Sequence, residues 1–304
     1  MRAAVLHGPG DLRVQDVPEP EGEVLVEVRA AAACGTDRKM LERGHPVLGP
    51  YPCRFGHETA GVRLDTGERV VVGDSVACGT CRPRSHGRRQ LCRDMTWVLG
   101  GFAERIAAPA GALHAVPDDL PLEGAAMAEP LAACVHAVAR AGDAAACAVL
   151  GGGTIGLMLA RLLVLQDRDV VLVDRHPARR AQAEAVGARA AEALGEHDLV
   201  LEAVGRAEAW RAAVEACAPG GRVVLVGGCA GDVALPAHPL HYDEVDVVGA
   251  FHHDRAEVDE AIALLASGAV DWRALAGPVV GLDGLRAALD AMPGGEARKP
   301  LVVP

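Results

Sequence analysis

The chain has 304 residues, half of them apolar, and a formal net charge of −11. Such a composition belongs to a folded globular protein of one large or two modest domains, not to a disordered chain. The acidic balance excludes the basic face that a phosphate-backbone binder needs, so no nucleic acid is expected as a partner.

Met1–Gly10 carries no apolar core of signal-peptide length, and export is not expected. The uncharged run Ala144–Ala160 has the length of a short membrane span, but a tight cluster of glycines interrupts it and Arg161 follows at once. It reads as a buried strand, a glycine turn and a buried helix, in a soluble cytoplasmic protein with no membrane partner. The nine cysteines are scattered along the chain, which argues against a disulfide framework and leaves reduced thiols, some of them candidates for metal.

From Met1 to about Pro117 short β segments are broken by Gly, Pro and Asp; Glu23–Arg29, Arg69–Val72 and Phe102–Ala107 are examples. Three fragments offer soft or borderline metal ligands: Cys34 in Cys34-Gly35-Thr36-Asp37, His57-Glu58 in Gly56-His57-Glu58, and Glu129 in Glu129-Pro130-Leu131-Ala132. Singly each reads equally as a buried thiol, a surface pair or a helix N-terminal carboxylate, and spacing alone does not join them.

From about Leu131 to Phe251 strands alternate with helices. Ala146–Leu150, Val170–Val173, Leu199–Glu202, Arg222–Val226 and Val245–Gly249 read as buried parallel strands. Helical patterns cover Ile155–Leu165, Arg179–Val186 and Glu208–Ala216. These are βαβ units of a doubly wound α/β sheet. The first strand runs into Gly151-x-Gly153-x-x-Gly156, and Thr154 and Ile155 open the helix. In that pattern the glycines allow a tight turn, close approach to a pyrophosphate and close helix–strand packing, while the helix N-terminus faces the phosphates.

Asp174 ends the next strand, 18 residues beyond Gly156, near the spacing expected of the acid that binds the adenosine ribose. A carboxylate there repels a 2′-phosphate and favours NAD; Arg175 and Arg179 leave NADP open. Asp174 can also cap a helix ahead of His176-Pro177. After His252 two helices, Val258–Ala266 and Leu282–Ala291, and a strand, Pro300–Val303, form a tail too short to stand alone. It is expected to pack onto the first domain.

In order along the chain, Cys34-Gly35-Thr36-Asp37, Gly56-His57-Glu58, Gly67-Glu68-Arg69-Val70, Gly101-Phe102-Ala103-Glu104, Glu129-Pro130-Leu131-Ala132 and Gly151–Gly156 resemble the zinc-containing medium-chain dehydrogenase/reductases. The match is to their sorbitol, threonine and glucose dehydrogenase branch and covers nearly the whole chain. The resemblance implies a GroES-like β-rich catalytic domain (1–130 and 253–304) with a Rossmann domain (131–252) inserted. It implies one catalytic zinc held by Cys34 and His57, with Glu58 and Glu129 as direct or outer partners. Thr36 would contact the substrate oxygen. The implied reaction is hydride transfer between an alcohol (a polyol, sugar or amino alcohol) and NAD or NADP, in a homodimer or homotetramer with Val245–Gly249 as a candidate edge strand. A zinc-free quinone or enone reductase on the same fold would lack the Cys34, His57 and Glu129 set, and a non-catalytic dinucleotide sensor would dispense with the ligands.

Three departures stand out. Of the four cysteines of the family's structural zinc lobe, Cys78, Cys81 and Cys92 remain, but Arg84 fills the third place and cannot ligate. His86 could complete a Cys3His site; the lobe is expected instead to have lost its metal, because a displaced ligand needs a rebuilt loop. Lys39 stands where a relay histidine is common, leaving the outer proton path unassigned. The connections after His57 and between Ala188 and Asp198 are trimmed, as surface loops tolerate. Cys53, Cys134, Cys147, Cys217 and Cys229 are expected to be buried small hydrophobes, and Trp97 and Phe102 to pack in the core.

Overall fold

Val24–Ala32 begins with strict alternation of buried and half-buried positions, the period of a strand with one covered face. In the computed structural model, which describes residues 1–82, 87–292 and 298–304, this strand anchors the first of two units. That unit comprises Met1–Pro130 and Asp254–Pro304; the second comprises Leu131–His253.

The first unit is built on β1 (Arg2–Gly8), β2 (Asp11–Asp16), β3 (Val24–Ala32), β4 (Cys53–Arg54), β5 (Glu58–Arg63), β6 (Arg69–Val72), β7 (Ser75–Val76), β8 (Thr96–Trp97), β9 (Arg105–Ala108) and β10 (Leu113–Ala115). One sheet has the order β2-β1-β4, and β7 pairs β8. The main sheet runs β10-β6-β5-β3 and is continued by two strands from the end of the chain, with β9 also on β3. Helix α1 (Gly35–Arg43) leaves β3 directly and packs Met40 and Leu41 into a core with Leu6, Phe55, Phe102 and Leu289. Phe102 lies edge-on to Phe55 at 4.9 Å, so the strand expected from Phe102 begins only at Arg105. Helix α2 (Ala128–Ala139) follows.

The second unit is a parallel sheet of β11 (Ala146–Leu150), β12 (Asp169–Val173), β13 (Arg189–Ala191), β14 (His197–Glu202), β15 (Cys217–Leu225) and β16 (Asp246–Gly249). Its order, β13-β12-β11-β14-β15-β16, is that of a Rossmann sheet, with the strand order reversing between β11 and β14. Helix α3 (Thr154–Val164) follows β11, and helix α4 (Ala207–Glu215) follows β14. The helix expected over Arg179–Val186 is a correction: it breaks into a turn at Pro177–Arg180 and a 3-10 turn at Glu184–Val186, closed by Gly187 at φ 82°. Without an apolar stripe long enough to bury, a full helix is not sustained there. From β13 to β14 only residues 192–196 cross, with no helix, where a parallel connection usually takes a dozen or more residues. A cavity of about 560 Å³ lies beside that short crossing, lined by Leu150, Val173, Leu194, Ala212 and Ala216 among others.

After the second unit the chain forms helix α5 (Arg255–Ala266), β17 (Ala276–Val280), helix α6 (Leu285–Ala291) and β18 (Lys299–Val302). Strand β18 pairs with both β17 and β3. No helix among the described residues is long and apolar enough to cross a membrane.

Candidate active site

Cys34 terminates the β3 segment and caps α1. Its sulfur accepts a hydrogen bond from the Thr36 N–H at 3.4 Å, and Asp37 Oδ2 accepts one from the Cys34 N–H at 2.8 Å. This reciprocal cap ties the thiol to the helix start. The other Asp37 oxygen lies 3.0 Å from His57 Nδ1, with the carboxylate fully buried. A carboxylate acceptor places the ring proton on Nδ1 and leaves the Nε2 lone pair for the thiol side. Register then brings the remaining parts together: Ala32 of β3 faces both Glu58 of β5 and Leu301 of β18. Lys299 therefore arrives beside Glu58, its Nζ 2.8 Å from Oε1.

The Cys34 sulfur, a His57 ring nitrogen and a Glu58 oxygen all lie within 4.8 Å of one another. Both Glu58 oxygens are buried; Oε1 is ion-paired with the Lys299 ammonium, and Oε2 has no hydrogen-bond partner. Buried lone pairs of this kind ask for a donor or a cation. Thiolate, imidazole and carboxylate are the ligand types of a zinc site that keeps an open position, so the residues fit the metal.

Burial opposes every charge in this cluster, and partners decide the outcome. Burial raises the Cys34 thiol, but Lys299 and His57 bring it down to about 7. Burial by itself would lower His57, yet Asp37 and the Cys34 sulfur hold it well above the ordinary histidine value. Burial lifts Glu58 well above the carboxylate range, with Lys299 opposing and Cys34 and Glu129 adding to the rise. Folded pKa values of His57 and Glu58 above the unfolded ones stabilise the metal-free protein at low pH, and this is lost as pH rises through them. Metal binding must displace those protons. The gap in melting temperature between zinc-loaded and stripped protein is thus expected to widen from about pH 6 to about pH 9. A constant gap across a melting series would contradict it.

Glu129 lies outside the mutual set of Cys34, His57 and Glu58; its carboxylate comes within 4.8 Å of that of Asp74 and acts on Glu58 and Lys299 through charge. Lys39 is exposed on α1, and Thr36 is half-buried beside Cys34. The Cys78, Cys81 and Cys92 sulfurs still converge, with Cys81 Sγ 3.6 Å from Cys92 Sγ. Arg84 and His86 lie outside the described residues. Cys134, Cys147 and Cys217 are buried, whereas Cys53 and Cys229 are only half-buried, a correction to their reading as core residues. Trp97 is half-buried in β8.

Lys299 and the double role of Asp37 are absent from the motif-based reading. One signal did exist: of 30 basic Lys and Arg residues only Lys39 and Lys299 are lysine. A compact, rotatable point charge suits a confined pocket better than a guanidinium fork.

In the second unit, α3 starts at Gly153 with no side-chain cap, and a helix N-terminus of this kind suits the phosphates of a dinucleotide. A Cβ on Gly156 would lie 1.7 Å from the Gly151 carbonyl oxygen, and one on Gly151, at φ 107°, would strike Val204. A Cβ on Gly153 would meet nothing within 4 Å, which leaves an open approach to the backbone there. Thr154 and Ile155 are half-buried at the helix start. Asp174 is buried: Oδ2 accepts from the Gly152 N–H at 2.8 Å and Oδ1 from the His176 N–H at 2.7 Å. The helical turn at Pro177 has no side-chain cap, so Asp174 fastens the glycine loop instead of capping it. Arg179 comes within 3.7 Å of Asp174, and Arg175 is exposed.

A β-rich unit carrying a thiol, imidazole and carboxylate cluster, joined in one chain to a Rossmann unit, defines a metal-dependent dinucleotide oxidoreductase. Residues 20–118 match the alcohol dehydrogenase GroES-like domain and residues 154–267 the zinc-binding dehydrogenase domain. An L-threonine 3-dehydrogenase from Chelativorans sp. is 32% identical, covering 98% of this chain and 97% of that protein. A sorbitol dehydrogenase from Arabidopsis thaliana is also 32% identical, over 90% of this chain and 86% of that protein. A zinc-binding dehydrogenase from Sinorhizobium meliloti, solved with NADP bound, superposes with a TM-score of 0.90 at 30% identity, covering 100% of this chain and 99% of that one. The chain belongs to the zinc-binding alcohol dehydrogenase family. It is an oxidoreductase acting on a small-molecule substrate.

Proposed function

We propose that the protein oxidises a secondary alcohol of the polyol, sugar or amino-alcohol kind with a nicotinamide dinucleotide, using one catalytic zinc held by Cys34, His57 and Glu58. The observation that carries this reading is the convergence of those three donors, with Glu58 Oε2 buried without a hydrogen-bond partner. Zinc, when bound, supplies a Lewis acid that lowers the pKa of the substrate hydroxyl. Asp37 fixes the His57 tautomer and, through the Cys34 N–H, the thiol. Lys299 offsets the negative charge of Cys34 and Glu58, and Glu129 acts on the site from outside the ligand set. The Thr36 hydroxyl accepts the proton leaving the substrate as it releases its own hydroxyl proton outward toward solvent.

Residues 151–156 hold the pyrophosphate, and the dinucleotide supplies the hydride acceptor. Asp174 favours NAD, with Arg175 and Arg179 close enough to admit NADP. The relatives named as sorbitol and threonine dehydrogenases support the substrate class. The protein is cytoplasmic and works as a homodimer or homotetramer, with β16 as the edge for pairing. The Cys78, Cys81 and Cys92 lobe carries no structural zinc. A panel of polyols, sugars and threonine, assayed with NAD and NADP in parallel, tests the reading. Turnover of at least one secondary alcohol, faster with NAD, is expected; activity confined to quinones or enones would overturn it.

A further inference from the structure

Glu202 ends β14 with its side chain fully buried, yet the hydrogen bonds of its carboxylate go to loop backbone. Oε1 accepts from the N–H groups of Val204 at 2.7 Å and Gly205 at 2.8 Å. The Glu202 carbonyl oxygen accepts from the N–H groups of Val226 and Gly227, each at 2.9 Å. Loops 203–205 and 226–228, which leave the ends of β14 and β15, thus meet on one residue.

The two loops are in contact as well. Gly205 sits at φ 73°, and a Cβ there would lie 2.8 Å from the Gly228 carbonyl oxygen. A Cβ on Gly227 would lie 2.3 Å from the Gly205 nitrogen and 2.8 Å from Glu202 Oε2. Trp210 of α4 closes the arrangement by donating its Nε1–H to the Gly227 carbonyl at 3.0 Å. The assembly abuts the glycine turn: the Ala203 N–H donates to the Leu150 carbonyl, and a Cβ on Gly151 would strike Val204 Cγ2 at 2.8 Å. Val204, held at this place, leaves 44% of an apolar side chain exposed.

A buried carboxylate is costly unless hydrogen-bonded. Here its hydrogen bonds are made to loop N–H groups, so the conformation they stabilise is that of the loops at the strand-order reversal, where Rossmann sheets bind their ligands. We infer that Glu202 is a positioning residue for the dinucleotide, fixing the 203–205 turn against the 226–228 loop so that Val204 forms a wall of the cofactor site. This rests on the reading that residues 151–156 bind a dinucleotide. Oε2 is buried on the side of the Trp210 and Gly227 N–H groups, so glutamine keeps an acceptor for Val204 and Gly205 but sets a buried NH2 against donors.

The test compares wild type, Glu202→Ala and Glu202→Gln in the zinc-loaded enzyme by NADH titration, steady-state kinetics and thermal melting. Glu202→Ala should raise the NADH Kd and the dinucleotide KM about tenfold with kcat within about twofold, because binding and not the chemical step is affected. Glu202→Gln, which keeps the acceptor for Val204 and Gly205, should give a Kd between those of wild type and Glu202→Ala. Lower melting temperatures with unchanged Kd in both variants would reduce Glu202 to a structural residue and overturn the inference. If Glu202→Ala fails to fold, amide exchange in the wild type decides: slow exchange at Val204 and Gly205 supports the clamp, and fast exchange at both overturns it. Wild type that binds no NADH would instead defeat the dinucleotide reading itself.

Discussion

Replacing Cys34 or His57 with alanine lowers turnover by about a thousandfold or more while leaving NADH binding within a few-fold of wild type. The size follows from the several kcal/mol of transition-state stabilisation that a Lewis acid supplies, at about 1.4 kcal/mol per tenfold in rate. The separation of effects follows from the architecture: Cys34 and His57, the proposed ligands, lie in the first unit, and residues 151–156 lie in the second. Cys34→Ser is expected to fail almost as badly as alanine. A serine oxygen can accept the Thr36 N–H in place of the sulfur, but it does not ionise near neutral pH as a thiol held at about 7 does. Initial rates together with NADH titration on the same preparations check all three variants. Turnover near wild type in Cys34→Ala or His57→Ala would remove both residues from the metal site.

The second large effect separates two glycines of one motif. Gly156→Ala must place its methyl group 1.7 Å from the Gly151 carbonyl oxygen, a backbone atom that cannot step aside. A loss of at least about 3 kcal/mol of stability, or failure to fold the second unit, is expected. Gly153→Ala has open space for its methyl and an extended backbone at φ −75°, so stability should change by less than about 1 kcal/mol. That same methyl projects where the pyrophosphate must approach, and dinucleotide affinity should fall at least about tenfold. Thermal melts and NADH titrations of the pair give the result. Equal melting temperatures, or undiminished binding in Gly153→Ala, would contradict the assignment of the turn.

Much of this arrangement is legible in the residue order. Strands of the second unit announce themselves because parallel strands are buried on both faces and read as apolar runs, as in Val170–Val173 within β12 and Leu199–Glu202 within β14. Cys34, His57 and Glu58 stand out through their motifs, although only the sheet register shows that they meet. Lys299 was not legible, because its place depends on β18 returning to β3 across more than 250 residues of chain. Asp37 was visible as an acid but not as the residue that bonds to both Cys34 and His57, a role set by two hydrogen bonds and complete burial. The short β13–β14 crossing was visible as the trimmed stretch between Ala188 and Asp198, whereas the broken helix after Asp174 escaped periodicity, since short alanine-rich stretches satisfy a helical pattern without burying a face.

The most direct test of the account is metal removal and return. Protein exhaustively stripped of zinc, with removal verified by elemental analysis, should lose alcohol oxidation while retaining NADH binding, and about one equivalent of zinc per chain should restore the rate. Full turnover in verified zinc-free protein would contradict the assignment of Cys34, His57 and Glu58 as the catalytic metal site.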